Sequence, residues 1–252
     1  MAPKVITDKV IAYLGHEDSP DISNPIHSTE VAKAYGFSGP LVGGVTVWGW
    51  ATDTILKALG DDWLKVGWAQ YSFRQPTMPG DQLLIRATEQ PDSQSWSLEM
   101  INEDDIVCVI GEVGLGKADW SQEFTRSNSV TPTGSDQQKK SLTLETAEIG
   151  SDWAAMDGSF TADIAHEFTS EKQKTTNPLF TGENPIAHPS WTAGWCEQLM
   201  RHNYEIPTSM HTKSRIQHLN TINIGTKVTG SARMVDAYER KAHHFINFDV
   251  LL

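Results

Sequence analysis

The sequence predicts an α+β chain of two similar halves, each a long helix packed on an antiparallel sheet. Three observations carry this reading: an internal repeat, one helix-length apolar run in each copy, and short β-type segments set between turn residues. In the repeat, Pro40-Leu41-Val42-Gly43-Gly44-Val45-Thr46-Val47-Trp48-Gly49-Trp50 aligns with Pro185-Ile186-Ala187-His188-Pro189-Ser190-Trp191-Thr192-Ala193-Gly194-Trp195. At the same offset Gly80 falls on Gly225 and Ala87 on Ala232. Upstream, Asn24-Pro25-Ile26-His27 corresponds to Asn177-Pro178-Leu179-Phe180 at an offset eight residues larger, because 28–39 separates turn from helix in the first copy and only 181–184 in the second. A unit of this length implies two homologous domains, not a solenoid.

Each element follows from local chemistry. Asn-Pro initiates a turn and biases its first residue away from helix, which places His27 at the mouth of a short polar helix over 28–35. Two glycines, Gly43 and Gly44, precede the apolar run 45–59, so long helices are expected near 44–59 and, by the repeat, near 189–203. Segments 67–74, 82–89, 95–102 and 106–115 carry β-formers between Pro, Gly, Asp and Asn, and 211–219, 226–236 and 242–252 do the same in the second copy. Residues 121–146 are polar and contain Pro-Thr-Gly, a composition that cannot bury enough apolar area to fold alone. They are read as a linker between an N-terminal domain, 1–120, and a degenerate C-terminal domain, 147–252.

Composition narrows the function. Of the 252 residues, 38% are hydrophobic and nine are tryptophan, enough for a packed core. A formal net charge of −12 disfavours nucleic acid, whose binding needs clustered Lys and Arg. An anionic small molecule stays possible through a local patch, with Lys33, Arg74 and Arg86 as candidates. No stretch of about 18 consecutive apolar residues predicts a membrane span. The first residues lack a signal-peptide layout, and the two cysteines, Cys108 and Cys196, form no disulfide framework. A cytoplasmic protein is expected.

The chemistry-bearing stretch is Asn24 to His27 followed by 36–44. A titratable imidazole beside a glycine-opened helix, whose free N–H groups favour negative charge, suggests acyl chemistry with a thioester oxyanion. This order, Asn-Pro-Ile-His, a short helix, then Gly36-Phe37-Ser38-Gly39-Pro40-Leu41-Val42-Gly43-Gly44 and an apolar helix, resembles the MaoC-like acyl-CoA hydratase/dehydratase family of hotdog proteins. The likeness continues through 68–73 into Gln75-Pro76-Thr77-Met78-Pro79-Gly80-Asp81 and covers most of residues 1–118. It implies a fused double hotdog: two long helices, each wrapped by an antiparallel sheet, under one joint sheet. It also implies addition or removal of water across a 2-enoyl thioester, with a carboxylate and a histidine sharing the proton work. No metal or redox cofactor is implied, since the thioester itself acidifies the α-carbon. The partners implied are an acyl-CoA or other acyl thioester, and a homodimer of double hotdogs, with neither nucleic acid nor membrane.

Carried over residue by residue, His27 and an acid are catalytic, and Asn24 and Gly44 bind substrate. The family's acid stands five residues before the histidine, where this chain has Ile22; Asp21 lies one residue further away. Either the loop bulges by one residue and Asp21 reaches the water, or Asp18 or Glu30 substitutes, or the acid is lost. Two rival readings follow: a hotdog thioesterase, or a non-catalytic acyl-thioester-binding partner.

Other candidates are weaker. The second copy has Phe180 where His27 stands, so it reads as an enclosing half. His188, at the position of Gly43, faces the acyl cavity or packs; His211 lines the interface between domains or serves a structural role. His243-His244 read as surface, and His166-Glu167 has no second histidine at helical spacing for a zinc site. The glycines of 111–116 are wrongly spaced for a dinucleotide loop, and Ser38 lacks the glycine pattern of a nucleophile elbow.

Overall fold

The computed structural model describes residues 2–15, 24–91, 94–134 and 139–252. The first half opens with β1 (Val5–Ile11), a 3-10 turn at Pro25–His27 and α1 (Thr29–Ala34). Then come α2 (Gly44–Gly49), α3 (Thr52–Leu59), α4 (Trp63–Val66), β2 (Gly67–Phe73), β3 (Gln82–Glu89), β4 (Ser95–Ile101) and β5 (Val107–Leu115). After β6 (Lys140–Ser141), the second half runs β7 (Met156–Ser159), α5 (Ala162–Glu167), a π-helical turn at Phe168–Gln173, α6 (Pro178–Thr181), α7 (Pro189–Ala193) and α8 (Trp195–Asn203). It closes with β8 (Tyr204–Glu205), β9 (Lys213–Gln217), β10 (Lys227–Arg240) and β11 (His243–Leu251).

Trp50 keeps right-handed helical angles (φ −64°, ψ −17°), as does Gly194 (φ −64°, ψ −19°). So α2 and α3, and α7 and α8, each form one long helix with a local irregularity, at Trp50–Ala51 in the first and at Gly194, the counterpart of Gly49, in the second. The first helix lies on a sheet of order β1-β3-β4-β5-β2-β9. Trp48, Ile55, Leu83, Ile85, Leu98 and Met100 are buried between them, and Trp48 stacks on Tyr71 at 4.1 Å. Each such side chain contributes roughly 1.5–3 kcal/mol by burial. Gly49 marks the close approach of the two long helices: a Cβ there would stand 2.6 Å from Ser190 Oγ and 2.5 Å from Gln173 Oε1.

The two halves share a sheet only in part. β9 pairs antiparallel with β2, from Trp68↔Gln217 to Ser72↔Lys213. β7, β10 and β11 form a separate three-stranded sheet of order β11-β10-β7, so the expected single joint sheet is interrupted between β9 and β11. Residues read as a linker from composition lie along the second half. Arg215 pairs with Glu123 at 2.7 Å, Thr125 N–H donates to Asp249, Asn128 bonds Asp152, and β6 pairs parallel with β8.

The turns that open each copy are built alike. Asn24 Oδ1 accepts from Ile26 N–H and Asn177 Oδ1 from Leu179 N–H, with proline pre-setting the first position in each. Each asparagine then reaches across to the other half: Asn24 Nδ2 donates to Ser209 O at 2.8 Å, and Asn177 Nδ2 to Asp53 at 2.7 Å. The second copy has no counterpart of α1, as its short 181–184 connection implies: α6 ends at Thr181 and 182–188 form no helix. Its end is covered all the same, because Phe168 packs 6.1 Å from His188 and Gln173 Nε2 donates to Thr46 O.

Candidate active site at the joint of the halves

His27 ends its 3-10 turn half-buried, fixed by the ring itself. Nδ1 lies 2.6 Å from Leu41 O. A carbonyl only accepts, so Nδ1 carries the proton and the neutral ring keeps its lone pair on Nε2. That edge faces Gly43: a Cβ built there would stand 3.5 Å from His27 Cε1 and 3.6 Å from Nε2. The glycine therefore leaves the basic nitrogen uncovered. Gly44, which opens α2, has no such room. A Cβ on it would lie 2.9 Å from Phe73 Cζ and 3.2 Å from His211 Cβ, so the helix start is pressed against β2 and the second half.

Asn24 is buried, and its amide is spent on structure. Besides capping its own turn, Oδ1 accepts from Thr208 Oγ1 at 3.0 Å and Ser209 N–H at 3.3 Å, while Nδ2 donates to Ser209 O and Oγ. The structure thus places Asn24 as a tether for residues 208–209. Nothing local in the sequence pointed to those two, since their role arises only when the halves meet.

The remaining candidates are distributed as follows. Asp21, Asp18 and Ile22 lie outside the described residues. Glu30 and Lys33 are exposed on α1, and Arg86 is engaged by Glu99 at 2.7 Å. Exposed Arg74 lines an open cavity together with Asn24, His27, Gly43, Gly44 and His211. His211 sits at the joint, its Nε2 2.6 Å from Ser214 Oγ, and burial pushes its pKa down. His188 has a structural place: Nδ1 accepts from the Ser190 hydroxyl and N–H, and burial lowers its pKa to about 3. Phe180, at His27's repeat position, packs edge-on to that ring at 4.6 Å. His166, His243 and His244 are exposed.

Two helices over antiparallel sheets, joined through β2 and β9 around this cavity, make the molecule a double hotdog. The solved structures it is similar to are consistent with that fold. One is described as a MaoC domain protein dehydratase from Chloroflexus aurantiacus (TM-score 0.66, 12% identity, 99% of this chain and 86% of that one). A second is a Mycobacterium tuberculosis protein with a double hotdog fold, essential for survival during infection (TM-score 0.61, 12% identity, 98% and 88%). A third is a MaoC-like dehydratase (TM-score 0.51, 10% identity, 90% and 88%). No family model matches the chain, and no curated protein is similar to it in sequence. Among the described residues no helix is long and apolar enough to cross a membrane.

Proposed function

We propose that the chain is a MaoC-like hydro-lyase that adds water to, or removes it from, a 2-enoyl thioester of CoA or a carrier protein. The observation that carries this reading is the fixed tautomer of His27, whose Nδ1–H is held by Leu41 O and whose Nε2 opens onto the cavity beside Gly43. In the hydration direction Nε2 takes a proton from water as the water oxygen bonds to C3. The double-bond electrons move onto the thioester oxygen as an enolate, and the protonated imidazole returns a proton to C2. A carboxylate, for which Asp21 is proposed, holds the same water. Backbone N–H at Gly44 faces the enolate oxygen. Asn24 acts by holding the Pro25–His27 turn against residues 208–209, and Arg74 at the cavity wall meets the anionic carrier.

The non-catalytic reading draws on Ile22 at the family's acid position. Incubation with enoyl-CoAs of increasing length separates the readings. Loss of the conjugated-enoyl absorbance without thiol release supports hydration, and thiol release supports the thioesterase. Tight binding with neither signal supports the binding protein. If Asp21 is the acid, Asp21→Asn lowers hydration with His27→Ala; a silent Asp21→Asn beside a dead His27→Ala assigns the acid elsewhere.

A further inference from the structure

Two imidazoles flank the glycine pair that opens α2, one from each half. His27 stands against Gly43. His211 stands against Gly44, its Cβ 3.2 Å from where a Cβ on that glycine would lie. Their protons sit on opposite nitrogens. His211 Nε2 is 3.2 Å from Lys213 O and 2.6 Å from Ser214 Oγ. A carbonyl only accepts, so Nε2 carries the proton, and burial keeps the ring neutral by lowering its pKa. Nδ1 is left with the lone pair. Among the described residues it has no partner, yet it is not sealed off as the unpartnered His218 Nε2 is. It is open to whatever fills the cavity that His211 lines.

The ring is fixed in that attitude. Phe73 and Tyr71 approach it with centroids 5.3 and 6.1 Å away. Ser214, which holds Nε2, is the cross-strand partner of Tyr71, and Tyr71 is itself buried against Trp48. A side chain locked by packing and hydrogen bonds presents its free atom in one direction.

Position decides the ligand. Along the end of β2, Tyr71 is buried, Phe73 half-buried and Arg74 exposed. Phe73 N–H donates to Thr212 O at 3.0 Å, which extends the β2–β9 pairing past Ser72↔Lys213 and sets His211 level with Arg74. His211 therefore lies between Gly44 and Arg74. On the reading proposed above, Gly44 N–H faces the thioester oxygen and Arg74 meets the anionic carrier. CoA and carrier proteins share a pantetheine arm, and between its thioester and its phosphate stands an amide whose N–H follows the sulfur by two methylenes. That N–H is the donor a fixed lone pair lacks.

We propose, resting on that reading of the cavity, that His211 is a substrate-binding residue whose Nδ1 accepts the pantetheine amide N–H nearest the sulfur. The contact sets the thioester over Gly44 and His27. It gives the second half, which has Phe180 in place of His27, a direct part in the site.

The test measures binding without turnover. The 252-residue chain is titrated calorimetrically with S-butyrylpantetheine and with an analogue in which oxygen replaces the N–H nearest the sulfur. The amide is expected to bind about tenfold tighter, since the ester oxygen turns a second lone pair toward Nδ1. His211→Phe should bring the two affinities within about a factor of two; a merely structural role would weaken both alike and leave their ratio. In the unmutated chain, the His211 Nδ1 nitrogen resonance should move upfield on saturation with S-butyrylpantetheine while Nε2 keeps its proton. A preference for the amide in a chain that hydrates no enoyl thioester upholds this contact and removes the hydration reading. Equal affinities in the unmutated chain, an unmoved Nδ1 resonance, a preference that survives His211→Phe, or no binding of either thioester overturns the proposal.

Discussion

The two halves fill the same corner of the fold in opposite ways. In the first, an imidazole occupies the fourth position of the Asn-Pro turn and a glycine precedes the helix opening. In the second, a phenyl ring takes the turn position and the imidazole has moved to the glycine's place, as Phe180 and His188. The tautomers are reversed as well: His27 donates through Nδ1 to a backbone carbonyl, whereas His188 accepts at Nδ1 from Ser190. One exchange of residues thus converts an open, basic nitrogen into a buried helix cap. The corner is a place where this fold can keep either a reactive group or a packed one.

The contrast can be broken from either side. Phe180 is 1% exposed, so Phe180→Ala should cost about 3–5 kcal/mol through transfer and cavity terms, read as a drop in denaturant midpoint at constant slope. His27→Ala should leave stability nearly intact and lower turnover by about a hundredfold or more, about 2.7 kcal/mol in the barrier. The neighbouring glycines should then separate. Gly44→Ala overpacks against Phe73 and costs about 1–3 kcal/mol of stability, while Gly43→Ala spares stability and lowers kcat/KM about tenfold by crowding Nε2. An equal loss of stability for the two alanines would refute that distinction.

The last effect is a pH dependence. Burial holds His188 at about 3 and His218, edge-on to Trp63, at about 4. Both folded values lie below the unfolded value near 6.5, so the unfolded chain binds more protons as pH falls. Their contribution is complete above pH 6.5 and is lost below it, at up to about 1.4 kcal/mol per pH unit for each group. Urea unfolding at pH 7.5 and 5.0 should register this loss, and His188→Gln should remove part of it.

Much of the fold was legible because the repeat and the turn residues are local signals. The strands from β2 to β5 lie within one residue of their expected bounds. β1 escaped notice because Asp8 sits on its inward face, breaking the apolar alternation; Thr54 and Lys57 satisfy that carboxylate from α3. β7 has four residues and includes a glycine, too little pattern to read. At the site, His27 and the glycine pair before the apolar helix were readable as a motif, but the sequence singled out Gly44, and that Gly43 is the one beside His27 Nε2 depends on how the turn folds back on the helix. The engagement of Asn24 by residues 208–209 was not readable, since it depends on a contact 185 residues away along the chain.

The paired asparagine tethers also bear on the order of folding. Each half can form its hairpins and helix from nearby contacts, which is fast. Closing Asn24 onto Ser209 and Asn177 onto Asp53 instead requires loops of well over a hundred residues, whose closure entropy must be met before the contact gains anything. The turn that carries His27 therefore takes its final form only when both halves have docked, and a refolding chain should regain its helices and sheets before its competence at this site.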